Sequence, residues 1–159
     1  EVVNFAPIIA PKLKNATITL NFNKTGADTV VWKGKINIGA GVSFQNLPVT
    51  VDLGGVTQSF VLNKSGKGNA GGGNKCAINA TLKNGVTKAA TDVGFSFNLK
   101  GDFQAALAAY GLTNATVQNV PVTIPATATV GAASFGANQP FTYKATEGKT
   151  GTAKAPPSS

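Results

Sequence analysis

No histidine, methionine or arginine occurs in this 159-residue chain, and there is a single cysteine. Without histidine, the usual Ser-His-Asp and Cys-His constellations cannot be built, and most zinc sites lose a ligand. Cys76 alone cannot form an intrachain disulfide. At the start of an alternating strand it reads as a small packed residue rather than a nucleophile. Charged residues make up only 13%, and the net charge of +8 rests on 14 lysines. Nucleic-acid readers rely on arginine for bidentate contacts, and these lysines are scattered along the sequence. Nucleic acid is therefore not an expected partner, and the lysines are expected to solvate the surface and guard strand edges. No apolar run nears the roughly 18 residues of a membrane helix, so no membrane span is expected.

Acids are equally sparse: Glu1, Asp28, Asp52, Asp92, Asp102 and Glu147. Asp28 and Asp92 lie beside turns, and Asp102 stands where a helix could begin. Asp52 and Glu147 are left as the only candidates for paired-carboxylate chemistry, and nothing in the sequence brings them together. No D-x-D-x-D cluster suits calcium, and residues 66–73 lack the G-x-x-x-x-G-K-[ST] phosphate signature. No catalytic residue, metal site or cofactor is expected. The ingredients of a self-made Lys–Asn isopeptide bond are abundant, but no spacing specifies one.

What the chain does contain is an internal echo. Asn15-Ala16-Thr17, Lys24 and Asp28 recur without gaps as Asn79-Ala80-Thr81, Lys88 and Asp92, and Lys33-Gly34 matches Lys100-Gly101. Gln45-Asn46-Leu47-Pro48-Val49-Thr50-Val51 matches Gln118-Asn119-Val120-Pro121-Val122-Thr123-Ile124. Ser59-Phe60-Val61-Leu62 matches Pro140-Phe141-Thr142-Tyr143. Self-similarity in fixed order predicts one supersecondary unit packed on its copy. The expected organisation is an extended arm at 1–12, a single domain at 13–154 with repeats 13–70 and 77–154, and a tail at 155–159. Phe60 is expected to overlie Phe141, and Trp32 to overlie Leu99.

Period-two alternation dominates. Ile18, Leu20 and Phe22 alternate with Thr17, Thr19 and Asn21, and Phe95, Phe97 and Leu99 with Ser96, Asn98 and Lys100. Each such segment reads as a strand with one core face and one wet face. Gly54-Gly55, Ser65-Gly66, Asn84-Gly85 and Gly71-Gly72-Gly73 read as turns or links. Four strands per copy predict an all-β fold: an antiparallel β-sandwich or flattened barrel of about eight strands. The alanine-rich stretch 102–110 reads as one short helix, with Asp102 as N-cap and Gly111 just past the end.

The segment from Val49 to Leu62 with Gly66-Lys67-Gly68, and the segment from Leu107 to Ala115 leading to Val120-Pro121-Val122, resemble repeats of secreted bacterial β-domain proteins. The resemblance implies an all-β extracellular module and brings no activity with it.

The chain starts at Glu1, and a cleaved secretory signal is the expected reason. Sequons at Asn15, Asn23, Asn63, Asn79 and Asn114 are candidate glycosylation sites and agree with export. The functional expectation is a non-enzymatic extracellular structural protein, either a surface module or a fibre subunit. In the fibre, the arm adds as a strand to a neighbour, head to tail, with Val3, Phe5 and Ile9 as anchors. The alternative is a carbohydrate-binding module for surface polysaccharide, with Tyr110, the aromatic on the helix, as the ligand contact.

Overall fold

Ten strands close almost into a ring because nearly every strand buries its alternate residues against one interior. The computed structural model describes residues 9–88 and 92–156. In chain order, the elements are β1 (Lys12–Asn21), β2 (Asp28–Asn37), β3 (Pro48–Leu53), β4 (Val56–Val61), β5 (Lys67–Gly71) and β6 (Asn74–Asn79). They continue as β7 (Leu82–Lys83), β8 (Val86–Thr87), β9 (Asp92–Gly101), α1 (Gln104–Ala108), β10 (Val117–Val130), β11 (Ala133–Ala145) and β12 (Thr150–Ala155). One antiparallel sheet has the order β4-β3-β10-β11-β12-β1-β2-β9-β6-β5, and β7–β8 form a separate ribbon. The ends of that order, β4 and β5, lie side by side: a Cβ on Gly68 would stand 3.0 Å from Cβ of Phe60. The fold is thus all-β, as expected, and of the two expected forms it is the barrel, nearly closed.

The sheet has ten strands, not eight. The two missed by alternation are β5 (KGNAG) and β12 (TGTAKA), which carry no large apolar residue. Glycines face inward there because larger neighbours claim the space. Gly68 would strike the Cys76 sulfur at 3.0 Å, and Gly151 would strike the Tyr143 hydroxyl. Gly71-Gly72-Gly73, read as a link between copies, is the tight turn joining β5 to β6.

Read around the ring, with β4 beside β5, exchanging the halves (β1 with β6, β2 with β9, β3 with β10, β4 with β11, β5 with β12) keeps every neighbour relation. In the second hairpin the match holds residue by residue. Pro48 faces Val61 as Pro121 faces Thr142, and Val49 faces Phe60 as Val122 faces Phe141. Asn46 and Asn119, which are equivalent, both adopt a positive φ, 61° and 51°. Asparagine tolerates that left-handed geometry better than most residues.

In the first third, the identities do not share structural positions. Asn15–Thr17 lie inside β1, whereas Asn79 ends β6 and Ala80 and Thr81 lead into the β7–β8 ribbon. A uniform offset of 64 would send the pair Ala16–Trp32 to Ala80–Ser96, but Ser96 pairs with Ala77. The bonds Ile78 N–H to Gly66 C=O and Phe22 N–H to Lys149 C=O are the true equivalents. Carried through the ladders, they set Val30, not Trp32, against Leu99.

The interior is filled from both walls. Trp32 meets Phe95 edge-on at 5.3 Å and Phe97 stacked at 5.7 Å, and Phe95 reaches Phe135 at 5.0 Å. Such pairs contribute about 0.5–1.5 kcal/mol each beyond burial. One end of the barrel is covered by α1, with Leu107 and Leu112 buried. The helix is shorter than predicted, and Asp102 does not cap it: Phe103 stands at the N-cap without a side-chain bond. The opposite end is tied by the ribbon, whose Gly85 and Thr87 carbonyls accept from Phe44 and Gly41 N–H.

Candidate functional site

Alternation that buries one face of β1, β2, β9, β6 and β5 leaves the other face outside, and the ladders align those outward residues in rungs. The first rung runs Lys12, Lys35, Gly94, Asn79. The second runs Asn15, Lys33, Ser96, Ala77, Lys67. The third runs Thr17, Val31, Asn98, Lys75, Asn69. Lys14 lies at the β1 bulge, and Lys100 continues the line on β9. Five strands therefore carry seven of the 14 lysines. Strands about 4.8 Å apart make this wall roughly 20 Å wide.

Small residues hollow it. Ala77, Gly94 and Ser96 floor a depression of about 820 Å³ rimmed by Lys12, Lys33 and Lys35. A second depression of about 340 Å³ shares Ala77 and Ser96 and is rimmed by Lys67, Lys75 and Asn98. Asp92 is the acid on this wall; it pairs with Lys12 at 3.2 Å. The other five strands of the sheet carry two lysines, Lys144 on β11 and Lys154 on β12, and one aspartate, Asp52. Lysines scattered in sequence are thus gathered in space. Those on β2 and β9 sit in the middle of the sheet order, so they guard no edge.

The remaining predicted residues fall elsewhere. Asp52 faces Thr127 while Ala145, just before the Glu147 turn, faces Val117. Ten residues of β10 separate these points, on the order of 30 Å along the strand. Asp52 instead accepts from Gly55 N–H at 2.9 Å in the β3–β4 turn. Asp28 is fully buried and accepts from Asn21 N–H at 2.7 Å and Phe103 N–H at 2.9 Å. Gln104 Nε2 reaches the same carboxylate at 3.4 Å. Asp28 therefore ties the β1–β2 turn to α1, whereas Asp92 sits outside on the lysine wall.

Cys76 is buried, and desolvation pushes its thiol up from 9.0 to about 11, against the smaller opposing effect of a hydrogen bond from the Gly68 backbone. Tyr110 is half-buried, its ring over Gly54 beside Leu107, and so offers no free platform. Asn15, Asn23, Asn63, Asn79 and Asn114 are all exposed. The Asn63 and Asn114 side-chain oxygens accept from Lys67 N–H and Gly148 N–H. Val3 and Phe5 lie outside the described residues. The Ile9 side chain is 71% exposed, while its carbonyl accepts from Gly136 N–H of its own chain at 3.0 Å.

β12 is shorter than the strands beside it. It pairs with β11 over Thr142–Ala145 and with β1 over Ala16–Asn21, while β11 begins at Ala133 and β1 at Lys12. Beyond Ala155 the chain reads Pro156-Pro157, which cannot donate ladder hydrogen bonds. Among the described residues, the β12 ladder thus ends before Ala133–Phe141 of β11 and Lys12–Asn15 of β1. Ile9 bridges in parallel to Phe135 of β11.

Compared with family models, curated proteins and solved structures, the chain matches none.

Proposed function

We propose that this chain is a non-enzymatic extracellular structural module that assembles by strand addition. The early end of the β12 ladder between β11 and β1 carries this reading. A strand of another molecule would complete the wall there through backbone hydrogen bonds, with alternate side chains fixing register. The arm of a neighbouring copy is the proposed donor. Val3 and Phe5 are the anchors in this reading; Ile9, expected as a third, instead bridges in parallel to Phe135 of its own chain. A head-to-tail contact of this kind is heterologous and grows an open filament.

Removing residues 1–11 should leave a folded monomer, and so should Val3→Asp with Phe5→Asp, which keeps Ile9. Light scattering and negative-stain microscopy of the natively secreted chain would read the difference. Polymers that persist in both variants, or an intact chain that is monomeric at all concentrations, would sink strand addition.

A second reading, a carbohydrate-binding module, is favoured by the hollowed lysine wall rather than by Tyr110. Asparagine and serine side chains stand there between cations, the mixture that sugar hydroxyls and acidic substituents require.

A further inference from the structure

We infer that the outer wall of β1, β2, β9, β6 and β5 binds an acidic polysaccharide, one bearing carboxylate or sulfate groups, along the two joined depressions. The inference rests on the carbohydrate-binding reading and names its ligand class.

Three observations carry it. The first is charge placement. Seven lysines face outward from five adjacent strands, and the other five strands of the sheet carry two, Lys144 and Lys154. Charge concentrated on one face focuses its field and draws a polyanion to that face. The second is shape. The floor of Ala77, Gly94 and Ser96 is lower than its rim, so an extended chain can sit between lysines instead of resting on their tips. The depressions share Ala77 and Ser96, so the track is continuous across β2, β9, β6 and β5. The third is what lies between the cations. Asn79, Ser96, Asn98 and Asn69 supply neutral donors and acceptors along the rungs, a pattern suited to hydroxyls alternating with acidic groups.

The same wall argues against the other common polyanion. Single-stranded nucleic acid is held by aromatic rings that stack on bases, together with arginine. The rungs carry no aromatic residue, and the chain has no arginine. A lipid surface would require an outward apolar stripe; Val31 is the single large apolar residue on the three rungs.

The test is affinity electrophoresis of the full chain at low ionic strength through gels containing polygalacturonate, a sulfated galactan or neutral dextran. Single-stranded DNA of matched charge runs in parallel. Two triple variants lose the same charge: Lys33→Gln, Lys35→Gln, Lys75→Gln on the wall, and Lys24→Gln, Lys64→Gln, Lys149→Gln away from it. Circular dichroism verifies that both fold. The expected result is retardation by the acidic polysaccharides and not by dextran. The wall variant should weaken it by about tenfold and the control by less than about twofold. Equal losses in both variants would mean that net charge alone is responsible and would overturn the site. Retardation by dextran, unchanged in the wall variant, would overturn the acidic ligand while leaving carbohydrate binding standing. DNA bound as tightly as polygalacturonate, with the same wall dependence, would overturn the ligand class. No retardation by any polysaccharide would end both readings.

Discussion

Asp28 holds the barrel's helical end through a carboxylate with no solvent exposure. Its oxygens take the N–H groups of Asn21 and Phe103, and Gln104 Nε2 also donates to the Asn21 carbonyl at 2.9 Å. Removing the acceptor leaves buried donors unpaired, which costs about 1–3 kcal/mol per group. Asp28→Ala should therefore destabilise the chain by roughly 2–4 kcal/mol, and Asp28→Asn by less, because one oxygen remains. Urea midpoints at neutral pH measure both; a change no larger than that of an exposed substitution would show that the network adds nothing. Cys76 and Tyr143 supply a second test. Burial raises both above their ordinary values, the thiol from 9.0 to about 11. The unfolded thiol ionises first, so the contribution is fully present below about pH 9 and is lost as pH rises through about 11. Stability should fall between about pH 9 and about pH 11, and fall less in Cys76→Ala. An identical decline in the variant would assign the effect to other groups.

At the scale of elements, β12 has more influence than its six residues suggest. Among the described residues it forms the ladder that joins β11 to β1, beside the single Ile9–Phe135 bridge. Ending the chain at residue 149 should open the wall along its length rather than fray one edge. The expected outcome is loss of cooperative unfolding and of the near-ultraviolet signal of Trp32, which packs against Phe95, Phe97 and Phe135. A truncated chain that still unfolds in one sharp transition would show that the remaining nine strands suffice. Short length and absent apolar side chains hide β12 from a search for alternation, yet its neighbours require a strand there to satisfy their backbone groups.

For the whole molecule, near-closure of the sheet divides the roles of the two faces. Inward residues fill one core, with α1 and the ribbon covering its ends, so the interior serves packing. What remains for contact with other molecules is the outside, the lysine wall included. The exposed Asn15 and Asn79 stand on that wall, so glycans there would cover it, whereas glycans at Asn23 or Asn114 would not. Pairing of the first strand with the last, and of β2 with β9, also makes folding depend on contacts distant in sequence, the arrangement that folds slowly.

The sequence alone determined the all-β class, the alternation of β1, β2, β9 and the β3–β4 and β10–β11 hairpins, and a single short helix within 102–110. These are local properties, written in period-two spacing and turn residues within a few positions. It also marked Asn46 and Asn119 as counterparts, because each left-handed asparagine stands three residues before an inward valine, in the short motif Gln-Asn-x-Pro-Val. Tertiary structure decided the rest. Only the ladders could reveal that the gap-free match of the first third is out of register, since identity carries no information about pairing. Only closure could add β5 and β12, whose glycines make sense beside Phe60, Cys76 and Tyr143. The lysine wall was illegible for the same reason: Lys12, Lys35, Lys67, Lys75 and Lys100 are far apart along the chain. Antiparallel register, a property of strands in pairs, is what makes them neighbours.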